Sequence, residues 1–217
     1  MKILIFGGTF NPVHNGHIAM CKAAQKTVNP DLTLIIPTYM PPHKAANGNL
    51  LSGEERIKLC RLAFDGFDNT EVSDIEIKAE QKSYSVITLT KLHEIYPDAE
   101  IYMLCGADMF LTLKTWFKYE EIIKLTAICA VPRDGGLAEL EEYKNSVEAD
   151  GGKCIIIDTP TVEISSTEIR QCVAKGAEIG GKVSEDVEEY IKKKNEPVVD
   201  INIIKEEYGY IMNLMRD

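Results

Sequence analysis

Short apolar runs, each separated from the next by a helix-sized stretch, limit what this chain can fold into. Residues 2–6, 32–36, 101–105, 126–131 and 155–157 are dominated by apolar side chains and read as buried strands. Residues 72–77 alternate apolar and polar side chains, the pattern of a half-buried strand. Between them, apolar spacing and capping signals predict helices over 15–28, 83–95, 118–124, 138–149, 166–174 and 184–194. One more opens at Ser52, whose capping-box partner Glu55 stands three residues on, and runs through about residue 65. Strands separated by helices need crossovers, which gives a mostly parallel sheet with helices on both faces. The expected architecture is α/β, Rossmann-like and doubly wound, in a single domain over residues 1–195. A chain of 217 residues is long enough for such a core. Residues 196–217 carry Ile201, Tyr208, Tyr210 and Met212, too apolar for a disordered tail, and are expected to pack on the domain or on a second subunit of a homodimer.

Open parallel sheets bind ligands beyond the carboxyl ends of their strands. Those places here are residues 7–17, 37–44, 106–108, Arg133 and 159–167. The first is a strand-to-helix crossing that holds Gly7, Gly8, Pro12, His14 and His17. Glycine lets the backbone approach a ligand, and a helix N-terminus offers unpaired N–H groups and the positive end of its dipole, so the crossing suits a phosphate. Two histidines three apart on one helical turn share a face and can add donors to the same anion. A second anion site is suggested by Ser165-Ser166-Thr167 opening a helix with Arg170 one turn on. Plainer readings stand beside these: Gly-Gly turns are common in α/β proteins, an isolated histidine is usually structural, and Ser165 with Glu168 makes a helix cap. Three of the four histidines, His14, His17 and His43, fall in the first 43 residues, which favours a functional reading.

Lys plus Arg number 24 against 34 Asp plus Glu, a formal net charge of −10 that argues against general nucleic-acid binding but not against a small anion met by local positive groups. The six cysteines form no C-x-x-C pair and most sit in apolar runs, so they read as core residues of a reducing compartment. The N-terminal apolar run is too short for a signal peptide, and no stretch approaches the roughly 20 residues of a membrane span. A cytoplasmic protein is expected. Two nucleotide motifs fail. The opening turn lacks G-x-G-x-x-G spacing, so no dinucleotide redox cofactor is indicated. Residues 176–182 match G-x-x-x-x-G-K, but Val183 replaces the magnesium-binding hydroxyl and a helix precedes the loop.

His14-Asn15-Gly16-His17 resembles the H-x-G-H signature of the nucleotidyltransferase superfamily, and Ile164 to Arg170 is similar to its second signature. Gly7-Gly8-Thr9-Phe10, Pro41-Pro42-His43-Lys44, Ser83-Tyr84-Ser85, Gly106-Ala107-Asp108 and Trp116 narrow the likeness. In that order, over roughly residues 1–195, they resemble the bacterial nicotinate-nucleotide adenylyltransferases. The resemblance implies that ATP and nicotinate mononucleotide are joined into deamido-NAD, with pyrophosphate released, by in-line attack without a covalent intermediate. Asn11 departs from the Asp of many relatives, though both are short and polar.

The resemblance also implies roles. His14, His17, Lys44 and Arg170 would be the catalytic groups. ATP would lie against Gly7, Gly8, Thr9, Phe10, His14, His17, Gly106, Asp108, Ile164, Ser165, Ser166, Thr167 and Arg170, with Asp108 and Gly106 on its ribose. The mononucleotide would meet Asn11, His43, Lys44, Tyr84 and Ser85, with Trp116 stacked on the pyridine ring. Magnesium would be held mainly by phosphates and water, with no protein metal site. Trp116 as a core residue, Asp108 as a helix cap, and Tyr84 and Ser85 as caps are the plainer alternatives. Two other functions fit the same chemistry less well. One is transfer to amidated mononucleotide or pantetheine phosphate; the other is a non-catalytic nucleotide sensor, expected to have lost His14, His17 or Arg170.

Overall fold

Six strands lie side by side in the order β3-β2-β1-β4-β5-β6, and every neighbouring pair is parallel. They are β1 (Lys2–Gly8), β2 (Leu32–Pro37), β3 (Thr70–Val72), β4 (Glu100–Gly106), β5 (Ala127–Val131) and β6 (Lys153–Ile156). The connecting helices are α1 (Asn15–Val28), α2 (Gly53–Ala63), α3 (Ser85–Ile95), α4 (Ala107–Phe110), α5 (Tyr119–Leu125), α6 (Leu137–Ala149), α7 (Ser166–Ala174) and α8 (Glu185–Asn195). The computed structural model describes residues 1–40, 50–132, 136–159 and 163–195. His43, Lys44, Arg133, the proline loop beyond Met40 and the 196–217 extension lie outside the described residues.

The strand period of two sorts the core into two layers. Ile3 and Ile5 of β1, Leu34 and Ile36 of β2, and Ile101 and Met103 of β4 face α3, α4, α5 and α6. Leu4, Phe6, Ile35 and Leu104 face the opposite way, onto α1, α2, α7 and α8. Both faces are therefore dry, which is why the strands read as continuous apolar runs rather than alternating ones. The cysteines behave as predicted: all six are unpaired, and burial pushes the thiols of Cys21, Cys129 and Cys154 up to about 12. No helix among the described residues is long and apolar enough to cross a membrane.

One predicted strand is cut short. Only Thr70–Val72 pairs with β2, and residues 75–80 are turns. The ladder stops where Ser73 N–H makes its last bond, to Ile35 O at 2.9 Å; the chain then folds back, Lys78 N–H donating to Asp74 O at 2.9 Å. Ile75 and Ile77 keep their apolar roles without a ladder. Ile75 packs on the core, and Ile77 lies so close to Gly53 that a Cβ there would stand 2.8 Å from it. Alternation marked the buried side chains and missed the backbone. Helix α3 begins at Ser85, two residues later than predicted, because Ser83 bonds across the sheet edge: its N–H donates to Met40 O at 3.0 Å, and its Oγ accepts from Tyr39 N–H at 3.0 Å.

The order 3-2-1-4-5-6 places the reversal of winding between β1 and β4, the crevice where doubly wound folds take their ligands. Residues 7–17 and 106–108 both lie there.

Candidate active site

The chain leaves β1 through Gly8 and Thr9 and turns sharply at Phe10, whose φ of 47° is left-handed. That backbone is unfavourable for a bulky side chain and must be held by its surroundings. The Phe10 ring is 1% exposed and packs edge-on against Phe6, at 5.4 Å between centroids, and against His17, at 5.0 Å. It folds back over Gly8, where any Cβ would meet the ring at 2.9 Å, so only glycine fits. Phe10 can therefore offer a ligand its backbone and not its ring. The Asn11–Pro12 bond is cis.

Helix α1 starts with an unusual cap. His14 is the N-cap residue, and its Nδ1 accepts from His17 N–H at 3.4 Å; His17 Nδ1 accepts from His14 N–H at 3.2 Å. This is a capping box made of two imidazoles, stacked with centroids 3.6 Å apart at 31°. The predicted shared face thus arises because each ring satisfies the other's backbone. Since both Nδ1 atoms accept, the ring proton of each neutral imidazole is on Nε2, as a donor. Burial keeps the rings neutral. His14 is lowered to about 4, mainly by burial, with Glu168 pulling the other way; His17 is held well below its ordinary value by burial and by His14.

The second helix N-terminus meets the first on the Asn11–Pro12 turn. Ser166 Oγ donates to Pro12 O at 2.9 Å, and Arg170 Nη1 donates to Asn11 O at 2.7 Å. Arg170 Nη2 donates to Thr167 Oγ1 at 2.9 Å, while Ser165 caps α7 through Glu168 N–H at 3.1 Å. The plain reading of Ser165 as a cap is correct, and it coexists with a helix end aimed at the β1 turn. Ile164 packs half-buried on the core below. Asn11 is 7% exposed, with Oδ1 accepting from Leu51 N–H at 3.1 Å.

Gly106 is the N-cap of α4 and Asp108 stands exposed in its first turn, so Asp108 is not the cap. On the other side, Tyr84 and Ser85 open α3 without a side-chain cap bond. The Tyr84 ring lies 4.9 Å from that of Phe117. Trp116 is half-buried against the core and donates from Nε1 to Thr112 Oγ1 at 3.4 Å.

Four contributors were missed. Phe117, 53% exposed beside Trp116, is an aromatic where solvent should favour a polar residue. Asn15 ties α1 to a neighbouring loop: its N–H donates to Lys182 O at 2.9 Å and its Nδ2 to Gly181 O at 2.8 Å. Lys182 Nζ pairs with Glu168 Oε1 at 2.6 Å, so the rejected G-x-x-x-x-G-K loop has a structural use. Arg56 is 1% exposed and donates to Thr9 O at 3.0 Å. Its signal was present, since Arg56, Leu59, Cys60 and Ala63 fall at i, i+3, i+4 and i+7, a charge on an apolar face.

Comparison with known proteins places this geometry in a family. Residues 5–172 match the cytidylyltransferase-like family profile. A Fusobacterium nucleatum protein named probable nicotinate-nucleotide adenylyltransferase is 39% identical over 197 residues, covering 89% of this chain and 98% of its own. A Shewanella pealeana protein of the same name is 32% identical over 204 residues, covering 88% and 94%. A Vibrio parahaemolyticus structure with an equivalent name is 26% identical, with a TM-score of 0.65 over 88% of this chain and 97% of that one. Plasmodium falciparum nicotinic acid mononucleotide adenylyltransferase, solved with NaAD, is 18% identical at a TM-score of 0.71 over 90% and 96%, a likeness of fold.

The imidazole box makes stability depend on pH. His14 titrates near 6.5 when unfolded and about 4 when folded, so the unfolded chain binds the extra proton first as pH falls. The stability it contributes is complete above pH 6.5 and lost on the way down to about 4, a change of about 3 kcal/mol. Carboxylates held down by lysine partners, Asp150 and Glu168, act only at the acid end of that window. Urea titrations should show stability already falling between pH 6.5 and 5, with a shallower slope in His14→Asn, whose amide can cap but not titrate. Equal slopes in the two proteins would refute the assignment.

Proposed function

Because the chain belongs to the cytidylyltransferase-like family, and within it to the nicotinate-nucleotide adenylyltransferases, we propose that it transfers the adenylyl group of ATP to nicotinate mononucleotide, giving deamido-NAD and pyrophosphate in NAD biosynthesis. The observation that carries this reading beyond the family is the meeting of two helix N-termini on the Asn11–Pro12 turn. An oxygen of the mononucleotide phosphate attacks the α-phosphorus in line, a P–O bond forms, and the bond to the β-phosphate oxygen breaks. No protein nucleophile takes part, so the chain's work is positioning and charge stabilisation.

His14 and His17 donate from Nε2 to the ATP phosphates, together with the backbone around Gly7, Gly8, Thr9 and Phe10. Ser165, Ser166, Thr167 and Arg170, with Ile164 beneath, steady the departing pyrophosphate, and Gly106 with Asp108 holds the ribose. Trp116 stacks on the pyridine, Tyr84 and Ser85 read its carboxylate, and Asn11, His43 and Lys44 complete the phosphate side. Magnesium carried by ATP phosphates and water would supply charge neutralisation there. We place the protein in the cytoplasm, where unpaired cysteines persist.

Pyrophosphate release from ATP should be seen with nicotinate mononucleotide, more weakly with its amide, and not with pantetheine phosphate. No release with any acceptor would leave only the sensor. His17→Ala should lower kcat by a factor of about a hundred, about 3 kcal/mol of transition-state stabilisation, and a near-normal kcat would refute its role. We further assign 1–195 to the transferase domain and 196–217 to a segment that packs on it or on a second copy. Truncation after residue 196 that alters neither thermal stability nor sedimentation would count against that.

A further inference from the structure

Arg56 is among the largest fully buried side chains of the protein, and its guanidinium is spent on backbone carbonyls. Nε donates to Leu51 O at 3.1 Å, Nη1 to Thr9 O at 3.0 Å and to Thr38 O at 2.6 Å, and Nη2 to Tyr39 O at 3.4 Å. Thr9 lies just past β1; Thr38 and Tyr39 lie just past β2. One cation thus joins the two loops at adjacent strand ends, and Thr38 N–H adds a direct link to Gly8 O at 2.9 Å. From Tyr39 the connection continues, because its N–H donates to Ser83 Oγ at 3.0 Å, one residue before Tyr84. Thr88 Oγ1 donates to Glu76 Oε1 at 2.6 Å, and the Glu76 carboxylate acts on the Arg56 charge.

We propose that Arg56 is a positioning residue for adenylyl transfer, fixing the separation between the phosphate cradle after β1 and the acceptor side at Ser83 to Ser85 without touching either substrate. The proposal rests on the functional reading above. Burying a guanidinium is costly, and that cost is offset here by the four carbonyls it serves rather than by a partner carboxylate in direct contact. Only a planar fork with five N–H groups can reach four carbonyls on three segments at once. In-line attack needs the reacting atoms roughly 3–3.5 Å apart, and a shift of about 1 Å can cost a factor of 100. A spacer between the half-sites would act on that distance and leave each half-site's own affinity intact.

Arg56→Lys keeps the charge but replaces the fork with a compact ammonium. Assayed well below its unfolding temperature, it should lose at least about tenfold in kcat, while the Kd values for ATP and for nicotinate mononucleotide, each titrated alone, stay within about threefold. A smaller fall in kcat, or loss of binding for either substrate alone, would overturn the proposal. The wild-type chain supplies an arm that needs no folded variant: magnesium–ATP alone should slow amide exchange at Tyr39 and across residues 83–85. Unchanged exchange there would overturn it as well. Failure of wild type to release pyrophosphate with any acceptor would instead sink the functional reading, and the exchange measurement would still report on the network.

Discussion

The two imidazoles at the start of α1 exchange hydrogen bonds with each other's backbone, and the site depends on that exchange. A helix N-terminus must satisfy N–H groups that have no partner within the helix. In α2 the same task is met by Ser52 and Glu55, which place a carboxylate at the helix end. Such a box on α1 would set a negative charge at the helix start proposed to take the ATP phosphates. Two neutral imidazoles satisfy the same two N–H groups and keep a donor on each Nε2. The surroundings serve this arrangement: Phe10 packs against His17, Gly8 makes room for the Phe10 ring, and Asn15 fixes the helix start to residues 181–183.

An acidic protein that handles polyphosphates has an electrostatic difficulty, since a net charge of −10 repels its ligands at long range. Among the described residues the candidate site offers short-range donors: two helix N-termini, two uncharged imidazoles and Arg170. Glu168, whose charge acts on His14, is tied to Lys182 at 2.6 Å, and the Lys182 ammonium holds its carboxylate below the usual range. As a surface pair this adds little to stability, but it cancels a charge beside the phosphate site. Neutral donors also keep their hydrogen bonds at any pH above the folded pKa of the rings, so their contribution does not require protonation.

Most of the fold was legible because each strand and helix is specified by local pattern. Buried strands are apolar throughout, helices carry their caps, and the first turn holds its glycines and histidines within eleven residues. What could not be read were choices made by distant contacts. β3 stops at Val72 because the chain folds back on itself at Asp74, although Ile75 and Ile77 still alternate like a strand. The side chain of Phe10 is invisible to a motif, which cannot say that the ring turns inward over Gly8. Arg56 announced itself only as a charge on an apolar face, and its meaning depended on where Thr9, Thr38 and Tyr39 would end up.

That difference between local and distant has a counterpart in the chemistry. Each half of the candidate site is local: the phosphate cradle is one strand-to-helix turn, and the acceptor side is one helix start. A motif can encode either, because a few consecutive residues contain all the geometry required. A reaction without a protein nucleophile, however, depends on the distance between the halves, and no short stretch contains that distance. It must be set by the sheet, which holds β1 and β2 in register from Ile3 opposite Leu32 to Gly8 opposite Pro37, and by whatever ties the loops beyond the last paired residues. Beyond Pro37 the ladder is finished, and the carbonyls of Thr9, Thr38 and Tyr39 accept from the Arg56 guanidinium instead. A buried cation with several donors satisfies all three at once, so the group that completes the backbone hydrogen bonding is also the group that sets the span.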